Sequence, residues 1–223
     1  MNFKIENANF QPWVGKNYEK GINGNKILVL GESHYCLNER SAGGRCEKGC
    51  SKCNMNEQCH NMTNEVLTDF KDNFSWFGTK YLRCFYIFSR LIIGRALSVD
   101  ESKRLWDNVI FYNYLQYSQV APQQPINPNY WSPSEEAFKE LILKCRPNLV
   151  LVWGKRLYYG MPQFDGCFEE KISIDGEELF LRKYKIKDFQ FLCLMCYHPS
   201  SCRGRSWKKW HPFYIQATKQ LDK

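Results

Sequence analysis

Residues 26–35 read KILVLGESHY, and the fold of the chain turns on this stretch. Ile27, Leu28, Val29 and Leu30 form a continuous apolar run that stops at Gly31; Glu32, Ser33, His34 and Tyr35 follow. A run this short, with no polar alternation, fits a strand buried on both faces, as parallel sheets require. Gly31 lets the backbone turn where the strand stops. In open α/β sheets ligands bind just past the carboxyl ends of strands, which makes the GESHY turn a candidate binding edge.

Three later runs share the pattern. Asn108–Asn113 (NVIFYN) is β-branched and aromatic and ends at Asn113. Asn148–Trp153 (NLVLVW) ends at Gly154, and Phe189–Tyr197 (FQFLCLMCY) ends at His198-Pro-Ser-Ser201. Helical stretches fall between them. Residues 65–98 open with Val66, Leu67 and Phe70, and Tyr81–Leu97 has a wide apolar face. After a proline-bearing loop, Ser132 is placed to cap a helix, with Pro133 at its first position and Glu135 three residues after the cap. Asp175-Gly176 marks a hairpin. Alternating strands and helices imply parallel order by right-handed crossovers. The expected fold is therefore α/β, a three-layer αβα sandwich around a central four-stranded, mainly parallel sheet. Parallel order puts all four strand ends on one edge, where Glu32, Asn113 and His198 meet. A carboxylate, an amide and an imidazole at one edge suit the reading and cleaving of a small polar group.

Residues 1–25 are polar, with Phe10, Trp13 and Tyr18 expected to pin them to the core. With 223 residues and 43% hydrophobic content, a single domain over 1–223 is expected. The net charge of +8 points to a polyanionic partner. The opening MNFKIENANFQ lacks the apolar run of a secretory leader, and no run nears the roughly 20 residues of a membrane span. No membrane role is expected, and the protein is read as a cytoplasmic monomer. Eleven cysteines without a leader argue for a reducing compartment and for metal or core roles.

Residues 36–64 differ from the rest. They hold Cys36, Cys46, Cys50, Cys53 and Cys59, three glycines and almost no aliphatics, so this insertion cannot build an apolar core. The spacing Cys46-x3-Cys50-x2-Cys53-x5-Cys59 suits a tight loop around zinc or an iron–sulfur cluster, with His60 or Cys36 as substitute ligands. Metal binding would supply the folding energy that the loop lacks. The CxxxCxxC element also resembles the cluster motif of radical S-adenosylmethionine enzymes, which the short chain and the later strand ends fit poorly.

Taken together, Gly31-Glu-Ser-His-Tyr35, Asn113 and His198-Pro-Ser-Ser201 resemble the motifs of the uracil-DNA glycosylase superfamily. There the first strand ends in G-Q-D-P-Y-H or, in the iron–sulfur enzymes, G-E-A-P-G; a later strand ends in Asn, and the last in H-P-S-P or a variant. The resemblance covers roughly residues 26–35 and 108–220 by order of elements. The chain departs from it at Ser33, where the best-known members carry a catalytic Asp, and at His34, where proline is usual. The cysteine spacing differs from the family's cluster spacing.

The resemblance implies hydrolysis of the N-glycosidic bond of a flipped-out base in DNA, uracil the leading candidate. Glu32 and His198 would be catalytic: Glu32 would orient or activate water and favour a cationic sugar, and His198 would donate to the leaving base. Asn113 would read the base edge, with Gly31 and Tyr35 beside it and Phe77 or Phe74 stacked on the ring. Ser200, Ser201, Arg203, Arg205, Lys208 and Lys209 would face the nucleic acid, with Trp207 and Trp210 interleaved. The metal would be structural, and no cofactor is required for the chemistry. Two other readings stand beside this one: a catalytically silent nucleic-acid binder, and a hydrolase of a free nucleoside or nucleotide.

Overall fold

The computed structural model describes residues 3–35, 37–38, 44–45, 60–119, 125–201 and 207–221. Within them the strands are β1 (Trp13–Val14), β2 (Ile27–Gly31), β3 (Leu37–Asn38), β4 (Gly44–Arg45), β5 (Val109–Asn113), β6 (Leu149–Trp153), β7 (Gly166–Ile174), β8 (Glu177–Ile186) and β9 (Phe189–Cys196). The helices are α1 (Met62–Asn73), α2 (Arg83–Ile93), α3 (Val99–Leu105), α4 (Trp131–Cys145), α5 (Lys155–Gly160) and α6 (Trp207–Thr218). The chain is mixed α/β. Its main sheet has seven strands in the order β1-β5-β2-β6-β9-β8-β7, and β3 and β4 form a separate ribbon.

This corrects the expected sheet of four strands. β2 runs parallel to β5 and β6, and β6 runs parallel to β9, but β1, β8 and β7 add antiparallel pairs. The hairpin at Asp175-Gly176 extends the sheet rather than standing apart from it. Its two-residue turn has both φ angles positive, 50° and 75°, which matches the right-handed twist of the flanking strands.

All of β2, β5 and β6 is buried, which is why their sequences are continuously apolar. Val29, Phe111 and Leu151 lie in register and share one face with Trp153. Phe85 and Phe88 of α2 meet that face, with ring centroids 5.3 Å from Phe111 and 5.1 Å from Trp153 respectively. Phe191 lies out of phase with Leu192, which is in register with Leu149, and so points to the opposite face. There it meets Phe164, which stacks at 5.8 Å on Phe138 of α4. Helices thus cover both faces, each anchored by aromatic rings whose burial is worth about 1.5–3 kcal/mol apiece.

Helix boundaries depart from expectation for tertiary reasons. The Tyr81–Leu97 segment is a short 3-10 turn plus α2, which stops at Gly94 in the left-handed region, φ 75°. α4 begins at Trp131 instead of being capped by Ser132, and its leading 3-10 turn is capped by Asn127. Trp131 packs against Tyr114 at 5.6 Å. Phe10 and Tyr18 are buried as expected, and Trp13 donates to the Trp106 carbonyl at 2.8 Å.

Two glycines carry separable constraints. A Cβ on Gly31 would stand 2.2 Å from Asn113 Oδ1, whereas one on Gly176 would meet nothing within 4 Å but sit at φ +75°. Gly176→Ala should therefore cost about 1–2 kcal/mol through backbone strain alone. Gly31→Ala should cost about 1–3 kcal/mol through overpacking. Urea midpoints measure both, and equal, negligible losses would refute the assignment.

Candidate active site

The parallel pairing of β2 with β5 continues past the strand ends. Gly31 lies opposite Asn113 in register. Tyr114 N donates to Gly31 O and Leu115 N to Glu32 O, both at 2.9 Å, and Gln119 N donates to His34 O at 2.7 Å. Tyr35 and Gln119 close this run with an isolated bridge. The GESHY turn is thereby held against the loop after β5, so its side chains are placed by backbone bonds rather than by the turn alone.

Three side chains follow from that placement. Glu32 points to α5, where Arg156 donates Nε to Oε1 at 2.6 Å and Nη2 to Oε2 at 2.5 Å. This fork leaves the carboxylate mostly shielded and the guanidinium nearly half exposed. The Glu32 partnership raises the Arg156 pKa, and Tyr35 lies near enough to contribute. Asn113 is buried, with Nδ2 3.1 and 3.3 Å from the two ring nitrogens of His34. His34 is also buried: its Nε2 lies 2.8 Å from Thr63 Oγ1, and its ring meets Phe10 edge-on at 4.9 Å. Burial holds its pKa down to about 3, so the ring is neutral near pH 7.

His198 follows β9. Ser200 N donates to His198 Nδ1 at 3.2 Å, and Ser200 Oγ lies 2.7 Å from the same nitrogen. A nitrogen that accepts a backbone N–H carries no proton, so the neutral ring holds its proton on Nε2 and can donate it. Trp153 packs edge-on against this ring at 5.5 Å. Burial lowers the His198 pKa, and the charge of Glu32 opposes that shift, which makes the two residues electrostatic neighbours.

The structure therefore brings Gly31, Glu32, Asn113 and His198 to one sheet edge. Tyr35 is 37% exposed there. Phe74 instead lies in the core against Phe70 and Tyr86, and Phe77 is 93% exposed on the loop before α2. A cavity of about 200 Å³ lies beside that loop, lined by Phe74, Trp76, Tyr86, Arg90 and Val99 rather than by strand-end residues. Ser200 and Ser201 form the turn after Pro199. Lys208 and Lys209 are exposed on α6, with Lys209 paired to Glu177 at 2.9 Å. Trp210 is buried against Tyr197 and serves the core. Arg203, Arg205, Cys36, Cys46, Cys50, Cys53 and Cys59 lie outside the described residues. His60 is described: its Nδ1 lies 2.7 Å from Asn9 O. A ring that donates there keeps Nε2 as a lone pair suited to a metal.

Sequence reasoning did not single out Arg156, Thr63 or the side chain of His34. Arg156 lies two residues past the Gly154 strand end and was findable by the strand-end rule; Thr63 is joined to the site only by the fold. Both candidate groups here make measurable predictions. A double-mutant cycle with Glu32→Gln and Arg156→Gln should show a coupling of about 1 kcal/mol in urea unfolding, as expected for a partly exposed ion pair. No coupling would mean that the fork does not hold in solution. The unfolded chain protonates His34 near pH 6.5 and the folded chain only near 3, so the stability tied to it is whole above 6.5 and lost as pH falls toward 3. His34→Phe should flatten that limb by up to about 1.4 kcal/mol per pH unit relative to the parent, read from urea midpoints across pH 3–7. The chain matches no family model and no curated protein; its chemistry rests on these residues.

Proposed function

We propose that the chain hydrolyses the N-glycosidic bond of a base flipped out of DNA, uracil the leading candidate. The observation that carries this reading is that β2, β5 and β9 end at one sheet edge, which puts Asn113 opposite Gly31 and Glu32 within electrostatic reach of His198, whose Nδ1 accepts from Ser200 N. In the reaction the C1′–N bond breaks and its electron pair leaves with the base. The His198 Nε2–H meets the negative charge that builds on the base oxygen. The water oxygen bonds to C1′, and the proton it loses passes through solvent to the departing base anion, which leaves as the neutral free base. The charge of Glu32 favours the cationic sugar on the way. Because both of its oxygens are engaged by Arg156, it acts through charge unless the fork opens. Asn113 reads the base edge through its amide. Tyr35 or Phe77, both exposed rings, would stack on the base, and Lys208 with Arg203 and Arg205 would meet the phosphates.

The engaged carboxylate and Ser33 in place of an acid also favour a second reading, a silent binder of nucleic acid. Release of free uracil from a uracil-containing oligonucleotide separates the two. We expect His198→Ala to slow the single-turnover rate by about 100-fold or more. Asn113→Ala should lose base recognition worth about 1–3 kcal/mol. Glu32→Gln should lower turnover while sparing DNA affinity. If the parent releases no base yet binds DNA, the silent binder replaces the hydrolase.

The cysteine-rich insertion is proposed to hold one structural zinc or iron–sulfur centre through Cys46, Cys50, Cys53 and Cys59, with His60 oriented by Asn9 as a substitute. Protein purified without oxygen should contain stoichiometric zinc or iron by elemental analysis. Neither metal at stoichiometry would end this part of the reading.

A further inference from the structure

β7 ends the main sheet, and among the described residues no strand pairs with its outer side. Edge strands are usually protected by short length, a proline or a bulge. β7 has none of these. It runs nine residues from Gly166 to Ile174, holds no proline, and pairs with β8 without a break.

The turn at Asp175-Gly176 decides which backbone groups of β7 face outward. In a two-residue hairpin turn the flanking pair, here Ile174 and Glu177, is hydrogen-bonded. Along an antiparallel ladder, hydrogen-bonded and non-hydrogen-bonded pairs alternate. Gly166, Phe168, Glu170, Ile172 and Ile174 therefore bond to β8, while Cys167, Glu169, Lys171 and Ser173 turn N–H and C=O outward.

A second β7 can meet these outward groups antiparallel, about a two-fold axis at Glu170. Cys167 then lies opposite Ser173 of the second copy, Glu169 opposite its Lys171, and Phe168 opposite its Ile172, and each pair occurs twice. A shift of two residues would set Glu169 against Glu169 or Lys171 against Lys171, so charge selects this register. Within one copy Glu169 pairs with Arg182 at 2.7 Å and Lys171 with Glu178 at 3.1 Å. Edge pairing joins these into one row of alternating sign, from Arg182 and Glu169 of one copy to Lys171 and Glu178 of the other. On the opposite face the Phe168 ring, 66% exposed, lies beside Ile172 of the second copy. Glu170 meets its own counterpart on the axis, where the like charges oppose association; its Oε1 accepts from Gln220 Nε2 at 2.5 Å.

We propose that two copies of this chain associate through antiparallel β7–β7 pairing centred on Glu170, giving a dimer in place of the monomer expected from the sequence. The interface is separate from the candidate active site, which β9 and the strands beyond it carry.

Analytical ultracentrifugation of the reduced parent chain is the first measurement. It should pass from monomer toward dimer between about 1 and 200 μM, the range of a small transient interface. Lys171→Pro removes an outward N–H in each copy but no bond to β8. It should stay monomeric over that range with an unchanged far-UV circular dichroism spectrum. If it does not fold, Lys171→Glu sets like charge opposite Glu169 and should weaken association by about tenfold or more. Glu170→Gln removes the like charges on the axis and should tighten the dimer by about threefold or more. Glu170→Cys fixes the register: a non-hydrogen-bonded pair holds its Cα atoms about 4.5 Å apart, within reach of a disulfide. Mild oxidation should cross-link that variant through position 170 of both copies. A parent that is monomeric throughout, a dimer unchanged in the folded Lys171 variant, no tightening by Glu170→Gln, or cross-links through other cysteines alone overturns the proposal.

Discussion

The site depends on how closely β2 and β5 approach where both end. Gly31 faces Asn113, and the amide of Asn113 fills the volume that any side chain on residue 31 would need. That close approach lets the two following loops continue hydrogen bonding in parallel, from Gly31 through His34 on one side and Tyr114 through Gln119 on the other. Loops of this kind are usually the least determined part of an α/β fold. Here their backbone groups are satisfied by each other, so the polar side chains stand at fixed positions over the sheet edge.

Burial and pairing then give His34, His198 and Glu32 different electrical settings. His34 is kept neutral by its enclosure and spends its hydrogen bonds on Thr63 and Asn113. His198 is also pushed toward neutrality, but its nearness to Glu32 opposes the shift, and its Nδ1 is committed to Ser200. Glu32 carries charge matched by a guanidinium from a different element. Two imidazoles near one edge thus differ in setting: one is enclosed beside Thr63 and Asn113, and the other has its Nδ1 engaged by Ser200.

Much of this was legible in the sequence because the signals were local. Continuous apolar runs gave β2, β5, β6 and β9, and the punctuation after each run gave Glu32, Asn113 and His198. Asp175-Gly176 gave the turn between β7 and β8, but the next turn, Lys187-Asp188, which sets Ile186 opposite Phe189 and joins β8 to β9, has no glycine to mark it. The start of α4 was misplaced because the chain turns helical earlier, in the 3-10 turn Pro128–Tyr130 that Asn127 caps and that runs straight into Trp131. Phe74 looked like a base-stacking ring because exposure cannot be read from an aromatic cluster; its packing with Phe70 and Tyr86 depends on two helices meeting. Arg156 stands just past the Gly154 strand end, where the same rule could have found it, whereas Thr63 reaches His34 only once α1 is placed.

Residues 3–18 have a bearing on the site that their polar composition hides. Gln116 holds the Phe10 amide through its side-chain oxygen and the Asn113 carbonyl through its side-chain nitrogen, each at 2.9 Å. Phe10 also supplies the ring against His34, and β1 borders β5. Detaching this segment would remove the ring packed behind His34 and the bridge to the Asn113 carbonyl. A single opening that frees residues 8–14 would also expose residues 113–119, which lean on them through Gln116 and the β1–β5 pairing.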